Sequence, residues 1–113
     1  MSESEILRSI LLAIGKTKTR LFRNNVGIAE YKSGAKVKYG LCPGSSDLIG
    51  WTPVKIGPEH IGQTLAIFTA IECKSAAGKL TPEQSHVLLT VEAAGGIATV
   101  ARSADDALRA VSP

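Results

Sequence analysis

Apolar residues recur at spacings of three and four positions near the start of the chain, the spacing of one face of an amphipathic helix. This stripe consists of Ile6, Leu7, Ile10, Leu11 and Ile14. The pattern predicts a helix from Ser2 to Ile14, with the Ser2 hydroxyl as N-cap and Gly15 as the residue that ends it.

Short extended runs and turn formers follow in the middle of the chain. Three runs predict strands: 21–28, 36–41 and 47–55. Turn-forming residues separate them at 33–34 and at 42–46. The run 65–74 is apolar without alternation until its end, which predicts a central strand buried on both faces.

The last third of the chain contains clear helix signals. Thr81, Pro82 and Gln84 form a capping box with proline at the first helical position. The helix should end at the glycine pair 95–96, before a short strand at 97–101 and a last helix at 103–111. A strand, a helix and a strand in this order predict two parallel strands joined by a right-handed crossover. We therefore expect one α/β domain over residues 1–113, with a mixed sheet flanked by helices.

Composition and charge narrow the class of protein. Of the 113 residues 44% are hydrophobic and 20% charged, as in ordinary globular proteins. No apolar run reaches the ~18 residues of a membrane span, and the first residues are acidic, so we expect a soluble cytoplasmic protein with no membrane partner. Cys42 and Cys73 lack metal-ligand spacing, which argues against zinc.

The net charge is +3, and over half of the 13 Lys and Arg residues lie in the first third of the chain. This bias permits a nucleic-acid partner, although a solvated charged face has the same pattern.

Charged residues interrupt the end of the apolar run 65–74. Glu72 and Lys74 are two positions apart in a strand and therefore lie on the same side. Asp47 begins the preceding predicted strand, and antiparallel pairing of the two strands would bring both carboxylates and the lysine into one patch. Two carboxylates with a backbone carbonyl, such as that of Cys73, suit Mg²⁺, which keeps several waters. A lysine beside such an ion orients an attacking water and stabilises charge on phosphorus, an effect of about 10²–10³ in rate.

Three motifs follow one another along the chain: Gly44-Ser45-Ser46-Asp47, Ile71-Glu72-Cys73-Lys74 and Gly78-Lys79-Leu80-Thr81-Pro82-Glu83-Gln84. In this order they resemble the PD-(D/E)XK nucleases, in particular the stand-alone virus-type replication-repair nuclease (VRR-NUC) domains of phages. The resemblance covers nearly the whole chain and implies a restriction-endonuclease-like core. One departure from the pattern is that Pro43 lies four residues before Asp47, where the motif has proline next to the acid.

The resemblance also implies roles for individual residues. Asp47, Glu72 and the Cys73 carbonyl would be ligands of Mg²⁺ or Mn²⁺, and Lys74 the catalytic lysine. Relatives carry a further acid on the first helix. Glu3 is favoured here because it lies on the stripe of Leu7 and Ile10, whereas Glu5 lies on a more outward side; either acid also suits the first turn of a helix. Gln84 resembles the helix glutamine of the family, and the capping box is the alternative explanation for it.

The implied activity is that of a metal-dependent DNA endonuclease. Similarity to Holliday-junction resolvases implies branched DNA as substrate, a homodimer, and action in the host cytoplasm if the chain is phage-encoded. The candidate contacts to nucleic acid are Arg20, Arg23, Asn24 and Asn25, although residues 24–27 also suit a turn. The alternative from another class is a non-catalytic nucleic-acid-binding or assembly module, in which the acids and Lys74 hold a structural ion or a salt bridge.

Overall fold

Three helices and three pairs of strands make up the computed structural model, which describes residues 2–112. The chain forms two compact units, one ending at Thr52 and the other beginning at Pro53. In chain order the elements are α1 (Glu3–Ile14), β1 (Arg20–Arg23), β2 (Gly27–Glu30), β3 (Lys36–Tyr39), β4 (Leu48–Trp51), a 3₁₀ turn (Pro58–His60), β5 (Thr69–Cys73), α2 (Pro82–Ala93), β6 (Ile97–Ala101) and α3 (Ala104–Val111).

The first helix confirms the prediction from the apolar stripe. The Ser2 hydroxyl accepts the N–H of Glu5, and the Glu5 carboxylate accepts the N–H of Ser2 in return, which makes a complete capping box. Leu7, Leu11 and Ile14 are half-buried along the face of α1 that packs near β1.

Two antiparallel strand pairs complete the first unit. In the β1–β4 pair Arg23 lies opposite Leu48, and the Phe22 and Trp51 rings lie 5.4 Å apart between centroids. The β2–β3 pair is a hairpin whose turn contains the predicted Gly34, at φ 87°.

The predicted strand 21–28 is wrong in one respect, since it is divided into two. Residues 24–26 form no ladder, and the strands on either side of them pair with different partners: β1 with β4, and β2 with β3. The physical cause is that Asn24 turns its side chain into the protein to bind the 41–46 loop, which interrupts the alternation of a continuous strand.

The second unit contains the predicted strand–helix–strand arrangement. β5 and β6 pair in parallel, with Glu72 opposite Val100, and α2 connects them and packs against both strands. Gly96 permits the return from α2 because a Cβ there would lie 2.8 Å from the Phe68 carbonyl oxygen and 2.7 Å from Val91 Cγ1. α3 packs against β6.

The β5 strand differs from the prediction of a strand buried on both faces. It begins at Thr69 rather than Leu65, and its exposure alternates: Ala70 and Glu72 are half-buried, whereas Ile71 is 39% exposed. One helix, α2, packs against β5, while β6 pairs along its edge, so one face of β5 is covered and alternation is the expected pattern.

The expected single mixed sheet is also replaced by three two-stranded sheets. β4 pairs with β1 and β5 with β6, so the antiparallel pairing of β4 with β5 on which the grouping of the two carboxylates depended is not among the strand pairs of residues 2–112. The class is nevertheless mixed α/β, as predicted. Within the same residues, no helix has the length and apolar character needed to span a membrane.

Candidate active site

The charged end of β5 is organised around one oxygen of Glu72. Gln84 Nε2 donates a hydrogen bond of 2.9 Å to Glu72 Oε1, and Lys74 Nζ lies 3.8 Å from the same oxygen. The Glu72 side chain is 33% exposed and that of Lys74 is 19% exposed, so both charges are partly removed from water and each needs a partner. These contacts explain how an acid and a base are tolerated at the end of an apolar run.

Gln84 forms the capping box that was one explanation of its sequence position, and it also contacts Glu72. Its side-chain oxygen accepts the N–H of Thr81 at 2.9 Å, while its own N–H lies 3.1 Å from the Thr81 hydroxyl, which completes the capping box of α2. Its Nε2 group is then directed to Glu72. One amide therefore fixes the start of α2 and orients the carboxylate.

An open cavity lies beside this cluster, between β5 and the first two turns of α2. Ala70, Glu72 and Gln84 line it together with Val87 and Leu88. The Glu72 carboxylate thus borders a concave surface whose lining is mostly apolar with a few polar groups, which is the usual character of a ligand site.

Arg102 supports the loop that follows Lys74, and no sequence pattern indicated it. Its guanidinium donates hydrogen bonds to the carbonyl oxygens of Ser75, at 2.5 Å, and Gly78, at 2.8 Å. Because Arg102 lies more than twenty positions away along the chain, only the parallel pairing of β6 with β5 brings it to this loop.

Asp47 lies in the first unit, immediately before β4. Its backbone carbonyl accepts the N–H of Asn24 at 2.8 Å, which extends the β1–β4 ladder by one position. Its side chain is exposed, and within the described part of the chain the carboxylate has no hydrogen bond or ion pair. The acid is therefore free to bind a ligand.

Asn24 is one of the most buried residues of the first unit, at 8% exposure. Its Nδ2 group donates to Ser45 Oγ at 2.7 Å and to the Ser46 carbonyl at 3.0 Å, and its Oδ1 accepts the N–H of Leu41 at 2.9 Å. All the polar groups of its amide are thereby used within the protein. The prediction that Asn24 contacts nucleic acid fits this geometry poorly.

The other predicted nucleic-acid contacts lie at the surface. Arg23 and Asn25 are exposed and, among residues 2–112, make no side-chain hydrogen bond or ion pair. Arg20 is exposed as well, but its guanidinium donates to the carbonyl oxygens of Thr17, at 2.7 Å, and Thr19, at 2.9 Å. Arg23 is the best placed of the three, since its strand neighbour Leu48 directly follows Asp47.

The two acids of α1 are distinguished by their contacts. Glu5 is engaged in the capping box with Ser2, whereas the exposed Glu3 carboxylate has no partner among the described residues. This difference favours Glu3 over Glu5 as a further ligand. Cys42 and Cys73 are both exposed free thiols.

The donor chemistry of the predicted acids fits a hard divalent cation. The Asp47 carboxylate is free, and the contacts of Glu72 with Gln84 and Lys74 involve Oε1, which leaves Oε2 for a ligand. Carboxylate and carbonyl oxygens are the ligands that Mg²⁺ prefers. In residues 2–112, however, no three side chains of His, Cys, Asp or Glu group closely enough to hold an ion by themselves.

Comparison with known proteins adds one finding to this geometry. A family model described as the VRR-NUC domain matches residues 7–105, which is nearly the whole chain. The match includes Asp47, Glu72, Lys74 and Gln84, and it begins after both acids of the first turn of α1. No curated protein and no solved structure matches the chain.

Proposed function

We propose, on the premise that this chain belongs to the VRR-NUC domain family, that it is a divalent-metal-dependent DNA endonuclease that hydrolyses phosphodiester bonds. The observation that carries the proposal is the Glu72 carboxylate, which Gln84 orients and Lys74 accompanies at the edge of an open cavity. Family membership indicates a nuclease-type function, and the geometry of this cluster supports our choice of the residues that would perform it. The fold we propose is a variant of the PD-(D/E)XK core.

The metal in this proposal is Mg²⁺ or Mn²⁺. Asp47, Glu72 and the Cys73 carbonyl would hold it, with Glu3 as a further acid. When bound, such an ion supplies a water of lowered pKa and positive charge opposite the phosphate. The free carboxylate of Asp47 and the free Oε2 of Glu72 support this assignment.

The protein's own groups have separate roles. The Lys74 ammonium would donate a hydrogen bond to the attacking water or to a phosphate oxygen, and its position 3.8 Å from Glu72 leaves its other N–H groups available. The Lys74 ammonium would thereby stabilise the negative charge that develops on the phosphate in the transition state, which accelerates the reaction about 10²- to 10³-fold. Gln84 would keep one Glu72 oxygen in place and leave the second for the ion.

The proposed substrate is branched DNA, such as a four-way junction, cut by a homodimer in the cytoplasm. A chain of 113 residues with one candidate site covers little duplex, whereas a two-fold dimer presents two sites to two strands. The exposed basic side chains of the first unit, Arg23 in particular, would contact the phosphates.

The experiment that tests this function compares cleavage of a four-way junction, a flap, plain duplex and single-stranded DNA in Mg²⁺, Mn²⁺ or EDTA. We expect paired cuts in the junction that disappear in EDTA and fall about 10²- to 10³-fold in Lys74→Ala. Lys79→Ala is the matched control, because Lys79 is an exposed lysine of the neighbouring loop without a partner among the described residues.

The second candidate function is a non-catalytic nucleic-acid-binding module, and the 3.8 Å ion pair of Lys74 with Glu72 is the observation that favours it. The same experiment separates the two. If the folded protein binds DNA in EDTA and cuts no substrate with either metal, the enzyme proposal is refuted and the pair is structural.

A further inference from the structure

Asn24 connects the two segments that meet at Asp47. Its backbone N–H donates to the Asp47 carbonyl, and its side chain binds the loop that leads to Asp47 from the other side, at Leu41, Ser45 and Ser46. A single residue at the end of β1 therefore holds both the loop 41–46 and the first position of the strand that follows.

Ser45 is the second member of this arrangement. Its hydroxyl donates to the Cys42 carbonyl at 2.6 Å and accepts from Asn24 Nδ2 and from the N–H of Cys42. The only hydroxyl proton of Ser45 is thereby used, so the atom that faces Ser45 Oγ has to be a donor. The Ser46 carbonyl also requires a donor, whereas the N–H of Leu41 requires an acceptor. Only a side-chain amide of this size satisfies all three at once.

We propose that Asn24 is a positioning residue: its amide fixes the 41–46 loop and thereby the place of the Asp47 carboxylate, rather than contacting nucleic acid. This inference rests on the proposed function, because it assumes that Asp47 is a metal ligand. Residues that orient metal ligands through hydrogen bonds commonly change metal affinity or activity by about 10- to 100-fold when they are replaced.

The decisive variant is Asn24→Asp, which keeps the shape of the side chain and the acceptor for Leu41 N–H. It replaces the Nδ2 donor with an oxygen that faces the Ser46 carbonyl and a serine hydroxyl without a free proton. Ser33→Asp is the matched charge control. It adds the same charge to the first unit at an exposed turn, where an aspartate oxygen can still accept the N–H of Ala35.

The readouts are junction cleavage, with kcat and KM separated, the Mn²⁺ concentration for half-maximal activity, Mn²⁺ affinity by calorimetry, and amide hydrogen exchange without metal. In Asn24→Asp we expect kcat to fall on the order of 10²-fold. The Mn²⁺ concentration for half-maximal activity and the dissociation constant for Mn²⁺ should both rise about 10-fold. The KM for DNA should stay within about 3-fold, because a positioning residue does not contact the substrate. Exchange at Leu41 and Cys42 should accelerate, while β5 and β6 stay protected. Ser33→Asp should match the wild type.

Ser45→Ala provides a second and milder test if Asn24→Asp does not fold. It should change kcat and the Mn²⁺ requirement in the same direction, because it removes the hydroxyl that accepts the hydrogen bond of Asn24 Nδ2.

Several results would overturn the inference. Unchanged loop exchange together with unchanged kcat in both variants would show that the loop does not depend on this amide. A raised KM with unaltered kcat and metal dependence would instead identify Asn24 as a nucleic-acid contact. If the wild type neither binds Mn²⁺ nor cuts any substrate, the proposed function fails and the inference falls with it, which is distinguishable because the wild type is measured first.

Discussion

At the scale of single residues, the half-buried Glu72 carboxylate and the buried Asn24 amide both have specific partners that compensate for lost hydration. Glu72 has an amide donor and a lysine, and Asn24 uses both donors and its acceptor within the protein. Among the described residues, no buried side-chain nitrogen or oxygen lacks a partner. Conservative replacement of a residue that hydrogen-bonds a buried neighbour therefore tests what that one hydrogen bond contributes to activity or stability.

Gln84→Glu tests whether the amide donor at Glu72 matters separately from the helix cap. Glutamate still accepts the N–H of Thr81, so the capping box survives. The donor to Glu72 is replaced by a carboxylate oxygen that repels it. We expect DNA cleavage to fall about 10- to 100-fold, together with a lower melting temperature caused by the repulsion between the two carboxylates.

Thr81→Val is the complementary variant, because it removes the cap hydroxyl and keeps the Gln84 amide. Its cost should be about 1 kcal/mol of stability, with cleavage by the folded protein retained. Loss of activity in Thr81→Val equal to that in Gln84→Glu would mean that Gln84 acts only as a cap.

At the scale of elements, each helix begins with a side-chain cap. The three caps are Ser2, Thr81 and Ser103, and each accepts the N–H of the residue three positions later. In α3 that residue is Asp106, and its carboxylate also accepts the N–H of Arg102 at 2.9 Å. This hydrogen bond links the start of α3 to the residue that follows β6. The same residue, Arg102, binds the loop after Lys74 through its guanidinium.

Asp106→Asn should make the protein less stable at neutral pH and remove part of its acid sensitivity. The Arg102 N–H, which is the largest influence, lowers the pKa of Asp106 below 3.8, and Arg109 lowers it further. A carboxyl whose pKa is lower in the folded state stabilises above its unfolded pKa, and this contribution is lost as pH falls through the folded value. We therefore expect melting temperatures of wild type and variant to converge below about pH 3.8.

Asp105→Asn is the control for this prediction. Asp105 is an exposed acid in the same helical turn, without a partner among the described residues. The measurement is thermal unfolding of both variants between pH 2 and pH 7. If the melting temperatures of the two variants depended on pH in the same way, the prediction would be contradicted.

At the scale of the whole molecule, the positive charge is unevenly distributed. Residues 1–52 contain eight Lys and Arg against four Asp and Glu, whereas residues 53–113 contain five against six. The first unit therefore carries the entire net positive charge of the chain. Electrostatic attraction to a polyanion should arise from this unit, while the carboxylate–lysine cluster belongs to the second.

Arg23→Gln should weaken DNA binding and reduce its salt dependence. An arginine that neutralises one phosphate contributes about 0.9 to the slope of log K against log salt for duplex DNA. We expect the slope, measured in EDTA to prevent cleavage, to become shallower by about that amount. The matched variant Lys55→Gln removes an exposed charge from the second unit and should leave the slope unchanged; equal slopes for both variants would refute the role of Arg23.

The amino-acid sequence by itself determined the local elements and the chemistry of the candidate site. The ends of α1, α2 and α3, the turn at Gly34 and the β5–α2–β6 order were predicted because caps and turns join residues two to four positions apart. The acid and lysine of β5 were likewise visible as charges at the end of an apolar run.

Only the tertiary structure decided which strands pair, which face of β5 is covered, and which polar side chains turn inward. Asn24 resembled a surface contact in sequence, yet it binds partners 17 to 22 positions away, and Arg102 reaches a loop 24 to 27 positions away. Such contacts depend on how distant segments meet in three dimensions. Neither periodicity nor local propensity predicts these long-range contacts, because both describe a residue only by its neighbours along the chain.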